Sequence, residues 1–93
     1  MAKLELKKPI EINGKETKEI EYDLENLTGA DLQNAVKELG KRGLVVTVNE
    51  TDQNYHAMLF AIASDLAFED MKRLGAKDYS KACNAVRDFF LEE

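Results

Sequence analysis

Apolar residues recur at even positions along the first quarter of the chain. Leu4, Leu6, Ile10 and Ile12 are followed, after Asn13-Gly14, by Ile20, Tyr22 and Leu24, while Glu19, Glu21, Asp23 and Glu25 take the odd positions. Alternation with period two predicts two half-buried strands sharing one apolar face. Asn-Gly commonly forms a two-residue hairpin loop. Here that loop would set Ile12 opposite Lys15 and put even residues beside odd ones. A three-residue loop, Ile12-Asn13-Gly14, pairs Glu11 with Lys15 and keeps the apolar residues together. It predicts a type I turn closed by a glycine bulge. Pro9, which has no N–H, is expected at an edge or an irregularity.

The period then changes. Thr28 with Asp31 three residues on matches a capping box, and Leu32, Ala35, Val36 and Leu39 follow on one helical stripe. Gly40 is expected to end this helix, with Lys37, Lys41 and Arg42 near its negative end. The run from Leu44 to Val48 is rich in β-branched residues, which favours a third short strand over a connecting loop. From Thr51 or Asp52 to Leu74 the pattern predicts one long helix. Tyr55, Met58, Leu59, Ile62 and Leu66 make its stripe, and Phe60, Ala63, Ala67, Phe68 and Met71 widen it past half the circumference. A helix so apolar is either central or uses one side to meet another molecule. After Gly75 a last helix starts near Ala76, with Tyr79, Ala82, Cys83, Val86 and Phe90 on one stripe and Phe89 beside it. The expected fold is α+β: an N-terminal β-hairpin, with the third short strand near 44–48, packed with about three α-helices in a single domain spanning 1–93.

Composition narrows the function more than it identifies it. Thirteen basic and eighteen acidic residues among 93 give a net charge of −5. That balance disfavours the phosphate neutralisation on which nucleic-acid binding depends. The longest unbroken apolar run, Ala57 to Ala63, falls far short of the ~20 residues that span a bilayer. The N-terminal "MAKLELKKPI" has no apolar core of signal-peptide length. A lone cysteine, Cys83, fits a reducing compartment. No nucleic acid and no membrane are expected as partners, and the expected location is the cytoplasm.

No catalytic constellation emerges. His56 is the only histidine and has no ligand-type neighbour at metal spacing, so it reads as a packed or solvent-facing side chain. Cys83 lies on an apolar stripe, where cysteine behaves as a small hydrophobe. The glycines of "LGKRGL" follow a helix and match no phosphate loop, and Glu69-Asp70 reads as a solvated pair. The order Ser64-Asp65-Leu66, placed mid-helix, is not that of a carrier-protein serine. No cofactor, metal or catalytic residue is expected. What remains is apolar surface, generous for 93 residues. Tyr55, Met58, Leu59, Ile62, Leu66, Met71, Phe89 and Phe90 are the candidate partner-binding residues, against the plainer reading that they are simply core.

Three segments in order resemble the short tail assembly chaperones of tailed bacteriophages. They are "LKKPIEINGKETKEIEYD", with Lys-Pro-Ile, a Gly-Lys turn and a second strand; "LENLTGADLQNAVKEL", with its Leu-Thr-Gly-Ala-Asp-Leu helix start; and "AKDYSKACNAVRDFF". The chain departs from that pattern at Gly75, where a capping Ser is expected, and from Lys41 to Asn54, which matches none of it. The resemblance implies a non-enzymatic helper, encoded by a phage or prophage, acting in the cytoplasm of the bacterial host and missing from the mature virion. Its implied partner is the phage tape-measure protein, kept soluble until the tail tube forms around it; self-association is compatible with the same apolar surface. The rival reading is a structural or adaptor subunit, such as a connector or tail-completion protein, that stays in the particle.

Overall fold

β1 (Ala2–Ile12) and β2 (Lys15–Tyr22) pair antiparallel in the computed structural model, which describes residues 2–44 and 52–91. Near the termini of the hairpin, Leu4 lies opposite Ile20 and Ala2 opposite Tyr22, so even residues face even ones. Toward the turn the parity changes: Ile10 pairs with Thr17 and Ile12 with Lys15. The loop is therefore the two residues Asn13 and Gly14, both at positive φ (54° and 81°), a type I′ turn. The three-residue loop expected from parity is not formed. The register shifts further down, between Glu5 and Ile10, where four residues of β1 stand against Lys18 alone. Pro9 sits in that irregularity, where a missing N–H leaves no gap in the ladder.

The irregularity has a second consequence. Along a regular strand successive N–H groups point to opposite edges, but here those of Lys7 and Lys8 converge on one carboxylate. Asp78 Oδ1 accepts from Lys7 at 3.0 Å and Oδ2 from Lys8 at 3.1 Å. Asp78 belongs to the first turn of α4 (Ala76–Leu91) and is 1% exposed. The Gly75 carbonyl accepts the first helical bond, from Tyr79, at 2.8 Å. An acid three residues into a helix usually reaches back to the capping amide; Asp78 reaches across to the strand instead. Burial alone would raise its pKa, but the two amide bonds, with the charges of Lys81 and Lys7, outweigh this and hold it below the usual value.

α1 (Gly29–Lys41) opens with the expected capping box. Thr28 Oγ1 accepts from the Asp31 N–H at 3.3 Å, and Asp31 Oδ2 accepts from the Thr28 N–H at 2.9 Å. Its end differs from expectation, because Gly40 lies within the helix. The left-handed position falls to Gly43 (φ 77°), with Leu44 N–H reaching the Leu39 carbonyl at 2.9 Å and Gly43 N–H that of Gly40 at 3.0 Å. This is a Schellman turn. The strand expected at 44–48 lies outside the described residues except for Leu44, and the sheet among the described residues has two strands.

The long middle helix is divided. α2 (Gln53–Ser64) starts at Asp52, whose carboxylate accepts from the Tyr55 N–H at 3.1 Å, and ends at Asp65 in the left-handed conformation (φ 59°). Leu66 N–H bonds the Ala61 carbonyl at 2.8 Å and Asp65 N–H that of Ile62 at 3.3 Å, repeating the turn that ends α1. Ser64 Oγ adds a bond to the Phe60 carbonyl at 2.7 Å, which draws the last turn onto its own side chain. One short helix follows, α3 (Phe68–Met71), where Asp70 Oδ2 accepts from the Ala67 N–H at 3.2 Å. Tyr55 through Ala61 are all buried, so α2 is the central element, packed against α1, α3, α4 and β2. The architecture is α+β, as the alternating and helical periods predict.

Two outcomes follow for stability. Asp78→Ala leaves two amides without an acceptor and is expected to cost about 2–4 kcal/mol in urea denaturation. Because the native carboxyl holds its charge below 3.8, its contribution is complete above that pH and fades as pH falls through the lower native value; Asp78→Asn should flatten this part of the acid limb. Asp65→Gly removes the cost of a left-handed non-glycine residue and is expected to stabilise by up to about 1 kcal/mol, whereas Asp65→Val should destabilise, both read by thermal melting.

Candidate functional site

The side chains singled out for partner binding separate into three groups. Tyr55, Met58, Leu59 and Met71 are buried in the chain's own core. Ile62, Leu66 and Phe89 are half-buried and pack against that core. Phe90 is 42% exposed. The helical stripe from Tyr55 to Met71 is thus consumed inside the domain, for the reason its width suggests: a helix apolar on every side has neighbours on every side.

The structure brings Phe89 and Phe90 together at the end of α4. Their ring centroids are 5.4 Å apart with planes at 74°, an edge-on pair in which one ring packs inward and the other faces solvent. Leu91, the next residue, is 66% exposed. The stripe assignment did not single out Leu91, although the run Phe-Phe-Leu carried the signal: three consecutive residues on a helix span about 200° and cannot all face one core.

Beside this pair lies an open cleft of about 430 Å3, lined by Ala2, Tyr22, Asp23, Leu24, Glu25, Ala85, Asp88 and Phe89. Its walls come from the first residue of β1, the corner after β2 and the outer turns of α4. Tyr22 forms its link to the core through a ring contact with Phe60, centroids 4.8 Å apart. The corner is held to α2 by the Asp23 N–H, which donates to the Ala63 carbonyl at 3.1 Å. The charged residues of the lining, Asp23, Glu25 and Asp88, are all carboxylates. Asn26 Nδ2 donates to Asp23 at 2.7 Å, and Arg87 Nε stands 3.9 Å from Asp88.

The opposite end of α4 has the opposite charge. Two adjoining hollows there, of about 390 and 460 Å3, are bordered by Lys7, Lys8, Lys77 and Lys81. Asp78, the only carboxylate among their lining residues, is committed to the strand amides. A further apolar hollow lies between α1 and α2, lined by Leu32, Gln33, Val36 and Tyr55; Val36, placed on the core stripe by its spacing, is 40% exposed.

The reactive side chains are packed inside the fold. His56 is buried beside the Tyr55 ring, with centroids 6.0 Å apart. Burial pushes the Cys83 thiol up to about 11, offset only in part by its hydrogen bond with Tyr79. Its sulfur lies 3.7 Å from the Gln53 carbonyl. Burial and the neighbouring Cys83 also push the Tyr79 phenol up to about 12. Among the described residues no group of three or more His, Cys, Asp or Glu side chains converges as metal ligands do. No described helix is long and apolar enough to cross a membrane. Cys83 is therefore expected to react with a thiol reagent at neutral pH only as fast as the native state opens, so that urea should accelerate labelling in step with unfolding.

No curated protein and no solved structure matches the chain. One family does, over nearly the whole sequence and across the six elements of the described residues. Residues 3–91 fit the sequence model of the group described as "Phage tail assembly chaperone proteins, E, or 41 or 14". The chain belongs to this family of phage tail assembly chaperones.

Proposed function

We propose that the chain is a non-enzymatic assembly chaperone that binds the phage tape-measure protein and keeps it soluble in the bacterial cytoplasm until the tail tube forms. The observation that carries this reading is the pair of outward apolar side chains, Phe90 and Leu91, set beside the half-buried Phe89 and its cleft. Aromatic groups on a rigid helix, flanked by a recess, suit capture of apolar helical segments. Their position at the end of α4 supports it too, since an occupant there need not open the core. Of the residues first singled out, Phe89 and Phe90 keep this role.

Co-expression with the tape-measure protein encoded nearby tests the proposal. With the wild-type chain, the tape-measure protein should become soluble and co-purify. Phe90→Ser with Leu91→Ser should reduce its recovery several-fold while lowering the chaperone's own melting temperature only modestly, because Leu91 is largely solvated and Phe90 partly so. Insoluble tape-measure protein with nothing co-purifying would overturn the reading. Stoichiometric presence of the chain in purified virions would favour the adaptor role instead.

A further inference from the structure

The cleft beside Phe89 combines apolar walls with a one-signed rim. Tyr22, Leu24, Ala85 and Phe89 supply apolar surface, whereas every charged residue of the lining, Asp23, Glu25 and Asp88, is negative. These acids have little neutralisation nearby. Asp23 accepts only an amide bond from Asn26, Arg87 reaches Asp88 at 3.9 Å, and Glu25 forms no ion pair among the described residues. At several other places the chain matches its charges across short distances. Lys3 meets Glu19 at 3.5 Å, Lys41 meets Glu38 at 3.3 Å, and Arg42 meets Glu69 at 3.0 Å. An unmatched acidic rim around an apolar recess costs self-repulsion in the free protein, and a cationic occupant relieves it.

We propose that this cleft takes an amphipathic helical segment of another chain whose apolar face is flanked by lysine or arginine. The inference rests on the chaperone reading and gives its partner a chemical description. Apolar side chains of the segment fill the recess between Tyr22 and Phe89, and its flanking cations lie against Glu25, Asp88 and Asp23. Apolar contact supplies affinity without a sequence code, and the acidic rim supplies selection. An apolar helix flanked by carboxylates is turned away. The lysine-bordered end of α4 adds to the discrimination, because a cationic segment that settles there meets like charge.

The test uses the full chain and two designed amphipathic peptides of about 20 residues. Both have the same leucine face; one is flanked by lysines and the other by glutamates. Titration followed by fluorescence anisotropy is expected to show the lysine peptide bound about tenfold or more tightly, with affinity falling as salt is raised. Glu25→Lys with Asp88→Lys should abolish or invert the preference. Glu11→Lys with Glu16→Lys changes the net charge equally on the distant hairpin tip and should leave most of it intact. A preference that survives the cleft variant, or falls as much in the hairpin variant, would overturn the proposal, since the total charge would then explain it. Amide chemical shifts of the wild-type chain give an answer independent of any variant. Lysine-peptide changes confined to residues 22–25 and 85–91 are expected, and changes elsewhere or no binding would overturn the inference. The chaperone reading stands or falls separately, on co-purification of the tape-measure protein.

Discussion

One buried carboxylate joins the two halves of the molecule. Asp78 sits in the first turn of α4, yet both of its oxygens are occupied by amides of β1, at 3.0 and 3.1 Å. Hydrogen bonds from backbone amides to a charged acceptor are among the stronger ones available to a soluble domain. Through these two, the start of α4 and the middle of the hairpin hold a single relative position. The bond pattern also requires two successive amides of β1 to turn the same way, which the irregularity around Pro9 permits. The same break shifts the register, lets Asn13-Gly14 close as a two-residue turn and brings Gly75 against Lys8. A Cβ on Gly75 would stand 3.3 Å from Lys8 Cδ, so the residue there is small where β1 crosses the helix start.

Around that junction the core is organised by α2. Seven successive buried residues, Tyr55 to Ala61, leave no face for solvent, and the other elements exist in large part to cover it. Both α1 and α2 end in the same kind of turn, one with Gly43 and the other with Asp65 at the left-handed position. In the second case the turn separates α2 from α3. Leu66 folds back onto the Ala61 carbonyl, and Phe68 and Met71 enter the core from a new direction. Arg42, in the turn that ends α1, ties it to α3 on the outside, bonded to Glu69 at 3.0 Å and lying 5.3 Å from the Phe68 ring centre.

The function assigned to the chain depends on what this core leaves over. Most of the large apolar side chains are satisfied internally; apart from Val36, the exposed ones among the described residues are Phe90 and Leu91 at the end of α4, next to Phe89, whose ring lines the acid-rimmed cleft. A chaperone with a small exposed apolar area and a net charge of −5 can meet apolar segments without presenting a sticky surface to every protein. The lysines at the other end of α4 give the domain a charge polarity along that helix.

Local chemistry made several elements legible in the sequence alone. Thr28 and Asp31 marked a helix start because a capping box is satisfied within four residues, and the period-two run through Leu4, Ile20 and Tyr22 marked a hairpin because strand faces alternate. The family was legible in the order of three segments. Other features were settled between distant parts of the chain. Parity arguments assume an unbroken ladder, and the break near Pro9 is completed by Asp78, some seventy residues away, as its bonds to Lys7 and Lys8 span separations of 71 and 70. Periodicity carried the middle helix past Asp65 because Leu66 fits the stripe and Met71 its widened flank; the left-handed turn that ends it shows only in the backbone. Spacing likewise placed Tyr55, Met58 and Leu59 on an apolar face without saying whether that face met a partner or the chain's own α1 and α4. Apolar pattern determines that a face must be covered, and only tertiary packing decides by what.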